Sequence, residues 1–399
     1  MPATDPYPRI ERWVRDLAAL ERPSASEGER RAAELIAARL GELGWPARVE
    51  AERAHGGYWW PLGIPNAMAA AASLWGLRRP RSALRRAAGA LLGAIAAAAV
   101  WDDVAAGRLW FRRAVLPHRS TWNVIAEAGE RSAARTVVLI AHHDAAHTGL
   151  VFHPALPRLV AERLPGRHDR SVPVLYGVFL GPALLAAGAA LGLRPALAIA
   201  ALVAGGATAA MAEIGARPVV PGANDNLSAV AVLFAVAHAL EERPVEGVRV
   251  LLLSTGSEES FMEGMHGFAR RHLTTLAPDR TEMVCIECVG SPILYALEGE
   301  GMLRMRDYAP EVVEALAEAA RRAGVELRRG LRTVASTDAL VALRRGYRVA
   351  TLGGVDHTGF PANYHWPSDT FENLDWSSIR AAAAICERFV RGRAVAPGG

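Results

Sequence analysis

The chain has 399 residues and a formal net charge of +4, and every basic side chain is an arginine because the sequence contains no lysine. Its isoelectric point is about 9.2, yet no arginine cluster is interleaved with aromatics as single-strand binders require, which excludes nucleic acid as the expected partner. The length admits two domains, or one large α/β domain carrying insertions.

In chain order, Met1-Pro2-Ala3-Thr4-Asp5 leads into a charged helix without an apolar leader, so no cleavable signal peptide is expected. Ser24-Ala25-Ser26-Glu27 reads as a capping box. It predicts a helix that carries Ala33, Ile36, Ala37 and Leu40 on one face and ends near Gly44. Residues 58–77 carry no charge, and an arginine-rich tip follows (Arg78, Arg79, Arg81, Arg85, Arg86) before the apolar run 87–101. Strands are predicted at 123–128 and 136–141. A second uncharged pair, 171–193 and 195–212, is split only by Arg194. Beyond it come a helix at 227–240, strands at 248–254 and 283–289, a helix at 310–323, a strand at 349–352 and a helix at 376–390.

Strands alternating with helices imply an α/β fold whose central sheet is mainly parallel or mixed, with helices on both faces. In such sheets ligands sit beyond the carboxyl ends of the strands. The apolar segments at 57–118 and 150–214 read as inserted hydrophobic helical hairpins. Residues 1–56, 119–149 and 215–399 are then left as the catalytic domain. Four such runs in two hairpins are hard to bury within one soluble domain, so membrane association is expected. Arginines near the span ends bear on orientation. Five lie at the first tip, whereas Arg108, Arg112, Arg113, Arg158, Arg163, Arg167 and Arg170 flank the spans on the other side. With no leader, the expectation is a catalytic domain facing the cytoplasm. The cysteines are Cys285, Cys288 and Cys386. The first two lie three positions apart in a strand and so point to opposite faces, which speaks against a disulfide or a thiolate zinc site.

An ordered series of acidic and histidine motifs closes these runs: His142-His143-Asp144, Asn224-Asp225-Asn226, Glu258-Glu259, Glu287, and Tyr364-His365. Two imidazoles and several carboxylates make the ligand set that zinc accepts. Water on such an ion is acidified, so the series points to metal-assisted hydrolysis. Read singly, Asp225 could be a helix cap and Glu258-Glu259 an exposed acidic pair.

The series resembles peptidase family 28, the co-catalytic dizinc exopeptidases that include bacterial leucyl aminopeptidase and aminopeptidase Y. The likeness spans 123–126, 137–144, 221–229, 251–267, Glu287 and 364–370, and leaves out the hydrophobic insertions. It implies His142 on one metal with Asp144 as its supporting carboxylate, Asp225 bridging two ions, and a cis peptide after Asp225. It further implies Glu258 as general base, Glu259 and His365 on the second metal, and Glu287 on the first. The cofactor would be two Zn2+, with other divalent metals acceptable, and the substrate a peptide. His143, His147, His357 and Glu282 are rival ligands, and Asp369 is either a supporting carboxylate or a cap. Two ions, three ligating carboxylates and a bridging hydroxide would balance in charge, as a partly buried site requires.

The sequence departs from the family in three places. Glu287 stands where aminopeptidases usually have aspartate, Ser260-Phe261-Met262-Glu263 delays the glycine turn at Gly264, and Ala339 replaces a histidine after Asp338. The last two bear on the pocket rather than the metals. Two other readings remain: a single-zinc acyltransferase of glutaminyl-cyclase type, and a non-enzymatic membrane scaffold on the same fold.

Overall fold

The computed structural model describes residues 5–78, 82–163 and 176–394. Arg79, Arg81, Arg167, Arg170 and the start of the predicted run 171–193 lie outside them. The strands are β1 (Ala47–Ala54), β2 (Arg119–Gly129), β3 (Thr136–His142), β4 (Arg249–Thr255) and β5 (Thr281–Glu287). They continue with β6 (Ile293–Ala296), β7 (Gly299–Glu300), β8 (Arg306–Asp307), β9 (Arg332–Thr333) and β10 (Arg348–Val355).

A seven-stranded sheet runs in the order β1-β2-β4-β3-β5-β10-β6. Its centre, β4-β3-β5-β10, is parallel, while β1, β2 and β6 join antiparallel at the edges. The sheet is therefore mixed with a parallel middle. Every residue of β3 is buried, as a strand covered on both faces requires, and its Val137-Val138-Leu139-Ile140 run supplies the apolar side chains. β8, β7 and β9 form a small second sheet.

The helices are α1 (Tyr7–Ala18), α2 (Glu27–Glu42), α3 (Trp59–Arg78), α4 (Ala83–Val104), α5 (Trp110–Val115) and α6 (Ala155–Arg163). After these come α7 (Tyr176–Leu191), α8 (Arg194–Ala216), α9 (Ser228–Glu242) and α10 (Glu263–Arg271). The last are α11 (Pro310–Ala323), α12 (Asp338–Leu343) and α13 (Trp376–Arg391). α2 packs on β1 and β2, α9 on β3, α10 on β1 and β2, α11 and α12 on β10, and α13 on α9 and α11.

Two local expectations shift. The helix after Ser24 is capped two residues later than predicted: Ser26 accepts from the Glu29 N–H at 3.1 Å, and Glu29 reaches back to the Ala25 N–H at 2.5 Å. The box is thus Ser26-x-x-Glu29. β1 has no apolar alternation to announce it. It is an edge strand with exposed charges, a composition that discourages further pairing.

The apolar segments form a four-helix bundle in which α3 packs on α8 and α4, and α7 on α4 and α8. Small residues let the backbones approach: a Cβ on Gly93 would meet Ala186 N at 2.4 Å, and one on Gly181 would meet Ala204 N at 2.8 Å. The distal core is small, built on Ala69, Leu185, Ala189, Leu197, Ala200 and Ala204. Large side chains point outward instead, with Leu84 at 80%, Leu202 at 77% and Trp75 at 60% exposure. At its base the bundle joins the main core through Leu62, Val100, Val104, Val178, Met211 and Ile214.

Three described helical stretches are long and apolar enough to cross a bilayer: α4, α8 and Ala223–Glu242. The third is 89% buried against the sheet and its helices, so its hydropathy is that of a core helix. α3 does not meet the same measure, and α7 is shorter, at 16 residues.

Candidate metal centre

The parallel register aligns the carboxyl ends of β3, β4 and β5, with His142 opposite Thr255. His142 closes β3 and Glu287 closes β5, while Glu258 and Glu259 lie in the loop just after β4. Asp225 lies just ahead of α9, where Asp225 and Asn226 leave helical dihedrals and the peptide between them is cis. His365 comes from the loop after β10.

Asp225 stands between the two imidazoles. Its Oδ1 is 3.1 Å from His142 Nε2 and its Oδ2 is 3.3 Å from His365 Nε2. His142 Nε2 also faces Glu287 Oε2 at 3.6 Å and Glu258 Oε2 at 3.9 Å, and His365 Nε2 faces Glu259 Oε2 at 3.1 Å. A ring nitrogen can satisfy only one such oxygen with a proton. A cation seated among them would satisfy all.

Surrounding groups hold this cluster in place. Asp144 accepts from the Glu258 and Glu259 N–H groups at 3.0 and 3.1 Å and from Ser24 Oγ at 2.6 Å, with His142 Nδ1 at 3.4 Å. Asp369 accepts from the N–H groups of Asn224 and Asp225 at 2.6 and 3.1 Å. Asn226 Nδ2 donates to Glu287 Oε2 at 2.8 Å. Arg22, fully buried, donates to the carbonyls of His143, Pro221 and Gly222 at 2.7, 2.6 and 2.6 Å, tying the first two motif loops together.

The charges are crowded. Burial disfavours an imidazolium at His142, but Asp144 and Asp225 outweigh it and raise its pKa well above the ordinary histidine value. At His365 burial is likewise outweighed, by Glu259 and Asp225, and the pKa stands at about 10. Burial pushes Glu287 up to about 8 and Glu258 well above the usual carboxylate range. Asp225 resists burial through its hydrogen bonds to both histidines and stays low. The same carboxylates that raise both histidines would be balanced by a divalent cation seated among them.

Donor atoms of His142, Asp225 and Glu259 lie within 4.8 Å of one another, and so do those of Asp225, Glu287 and Cys288, two groups that share Asp225. Glu259 Oε1 finds no hydrogen-bond partner among the described residues. The donor set fits zinc. Cys288, whose spacing in the sequence speaks against a thiolate site, directly follows Glu287 and lies within reach of Asp225.

The rivals point elsewhere. His143 Nδ1 pairs with Ser254 Oγ at 2.9 Å, and burial lowers its pKa to about 3. His147 Nδ1 pairs with the Arg217 carbonyl at 2.7 Å. His357 is exposed, and Glu282 is engaged by Arg393 at the other end of β5. Beside Ala339, Asp338 is buried and accepts from the Thr255 hydroxyl.

A second buried network joins the bundle to the Glu258 loop. Arg112, fully buried on α5, donates to Asp103 of α4 at 2.8 Å and to the Ser260 carbonyl at 2.7 Å, and lies 3.1 Å from Glu263. Glu263 accepts in turn from the N–H groups of His55 and Gly56 at 3.0 and 2.9 Å. No local motif announces this network or Arg22, since each is tied to another motif loop far along the chain: Ser260 is 148 residues from Arg112 and Gly222 is 200 from Arg22.

The cluster lines a cavity of about 800 Å³ whose other walls include Tyr58, Phe152, Phe261 and the inner face of α8. Phe261 and Met262, from the stretch that delays Gly264, are part of that wall.

Residues 209–390 match the family model of peptidase family M28. The matched segment carries Asp225, Glu258, Glu259, Glu287 and His365, and the match supports a zinc-dependent metallopeptidase. No curated protein matches the chain. Among solved structures, the aminopeptidase from Aneurinibacillus sp. strain AM-1 is 14% identical, covering 97% of this chain and 93% of its own, with a TM-score of 0.56. A Zn-dependent exopeptidase from Parabacteroides distasonis is 14% identical over 96% and 97%, with a TM-score of 0.54. The glutaminyl cyclase of Bacteroides thetaiotaomicron, solved with N-acetylhistamine, is 13% identical over 96% of each chain, with a TM-score of 0.54. At these identities the likeness shows the fold alone: a mixed α/β sheet with helices around it, shared by zinc exopeptidases and glutaminyl cyclases.

Proposed function

We propose, from the M28 match over residues 209–390, that this protein is a zinc exopeptidase with two ions, acting as an aminopeptidase. The observation that carries the reading is Asp225 between His142 and His365, each imidazole facing a different oxygen of one carboxylate. His142, Asp225 and Glu287 would hold one ion, and Asp225, Glu259 and His365 the other. Zinc bound there would supply Lewis acidity to the scissile carbonyl and acidify a water.

Glu258 holds no ion in this assignment. Its carboxylate lines the cavity while Asp144 fixes its backbone N–H. A Glu258 carboxylate oxygen takes the proton from the attacking water and then delivers it to the leaving amine nitrogen. Asp144 Oδ1 faces His142 Nδ1 at 3.4 Å and would orient that ring and set its tautomer. Glu258→Gln is expected to lower turnover by a factor of about 10² to 10⁴ with zinc content unchanged; wild-type turnover in that variant would remove Glu258 from the role.

The catalytic domain in this reading comprises residues 1–56, 119–149 and 215–399, and the bundle of 57–118 and 150–214 is embedded in the membrane. The outward leucines and tryptophans of α3, α4 and α8 support that placement, and the catalytic domain is placed in the cytoplasm. Protease treatment of intact cells should leave it whole, and cleavage from outside would overturn that orientation.

A further inference from the structure

Helix α8 turns one face toward the metal centre. Val203, Gly206, Ala207, Ala210, Met211 and Ile214 recur at helical spacing and line the same cavity as His142, Asp225 and Glu258. None is charged, and most are small, so the wall leaves space where larger residues would fill it. A volume of about 800 Å³ lies toward the upper end for ligand pockets and exceeds what a single apolar side chain needs.

Among the described residues, the cavity lining reaches the apolar surface. Leu202 lines it yet is 77% exposed, and Ile199, one turn earlier, is 50% exposed. On the membrane reading that surface meets lipid. The lining is not wholly apolar: Ser336 is 8% exposed, and its Oγ finds no hydrogen-bond partner among the described residues. A peptide backbone can supply that partner, whereas a hydrocarbon chain cannot.

We propose that the substrate is an apolar peptide segment several residues long, which enters from the bilayer past Leu202 and lies along α8 with its scissile bond at the His142–Asp225–Glu258 end. This rests on the peptidase reading above. The proposed preference belongs to the wall that the inserted helix contributes.

The test uses the full-length, zinc-loaded protein in detergent micelles. Its kcat/KM is measured on leucyl-glycyl-serine and on a hexapeptide of leucine and valine. The hexapeptide should be favoured at least about tenfold. A Cβ at Gly206 meets nothing within 4 Å and Gly206 lines the cavity, so Gly206→Phe adds bulk to that wall; a Cβ at Gly205 is equally unobstructed, but Gly205 is not part of the lining. Gly206→Phe should cut the hexapeptide-to-tripeptide ratio about tenfold, and Gly205→Phe should leave it unchanged. If a variant folds poorly, the wild-type ratio alone decides. A ratio near one, or one insensitive to Gly206→Phe, overturns the inference while the peptidase reading stands. Hydrolysis of neither peptide overturns both. Faster turnover of a long-chain N-acyl leucine than of the hexapeptide overturns the choice of a peptide.

Discussion

Arg22 joins two motif loops that are 121 and 200 residues away along the chain. Burial lowers its pKa to about 10, so it remains charged at neutral pH. Its three carbonyl partners would be left unpaired in a buried setting if the guanidinium were removed. Arg22→Met should therefore destabilise the protein by about 3 kcal/mol, read from the denaturant midpoint; a loss under about 1 kcal/mol would show that water replaces the guanidinium. At this scale the sequence is legible where chemistry comes in short runs. His142-His143-Asp144 and Glu258-Glu259 announce themselves, because neighbouring residues share the work. Arg22 and the Asp103–Arg112–Glu263 group do not, because the folded topology brings their distant partners together.

Among the elements, α11 begins and ends at the predicted residues, since Pro310 opens it and Gly324 closes it. α9 and α13 are likewise legible from their periodicity. β1 is not, for its Arg48, Glu50, Glu52 and Arg53 give no apolar alternation to read. α10 escapes notice because Gly264 and Gly267 break the helical pattern, and a Cβ at either would strike a neighbour at 2.1 or 2.3 Å. That helix starts with Glu263, whose carboxyl resists the effect of burial: Arg112 and His55 hold its pKa down to about 2 from an ordinary 4.5. A depressed folded-state pKa means that this stabilisation is present above about pH 4.5 and is lost as pH falls towards 2. At pH 7 it is on the order of 3 kcal/mol. Glu263→Gln should cost about that much at neutral pH, and the gap from wild type should close as acid is added. A gap that stays constant with pH, followed by thermal unfolding, would contradict the ionised pairing.

For the whole molecule, the two apolar segments were visible in the sequence as interruptions of an α/β pattern, but hydropathy alone does not say which helices face outward. Ala223–Glu242 meets the same length and composition measure as α4 and α8 and yet lies inside; burial by the sheet distinguishes it. The full-length protein should float with lipid vesicles in a density gradient and need detergent for extraction, whereas recovery in the soluble fraction would contradict membrane embedding. The central claim concerns the cluster around Asp225, and metal analysis of the purified protein tests it most directly, combined with assay on leucyl peptides bearing free or acetylated N-termini. The account predicts about two zinc ions per chain and hydrolysis of the free N-termini alone. About one ion per chain, or equal cleavage of the blocked peptides, would contradict it.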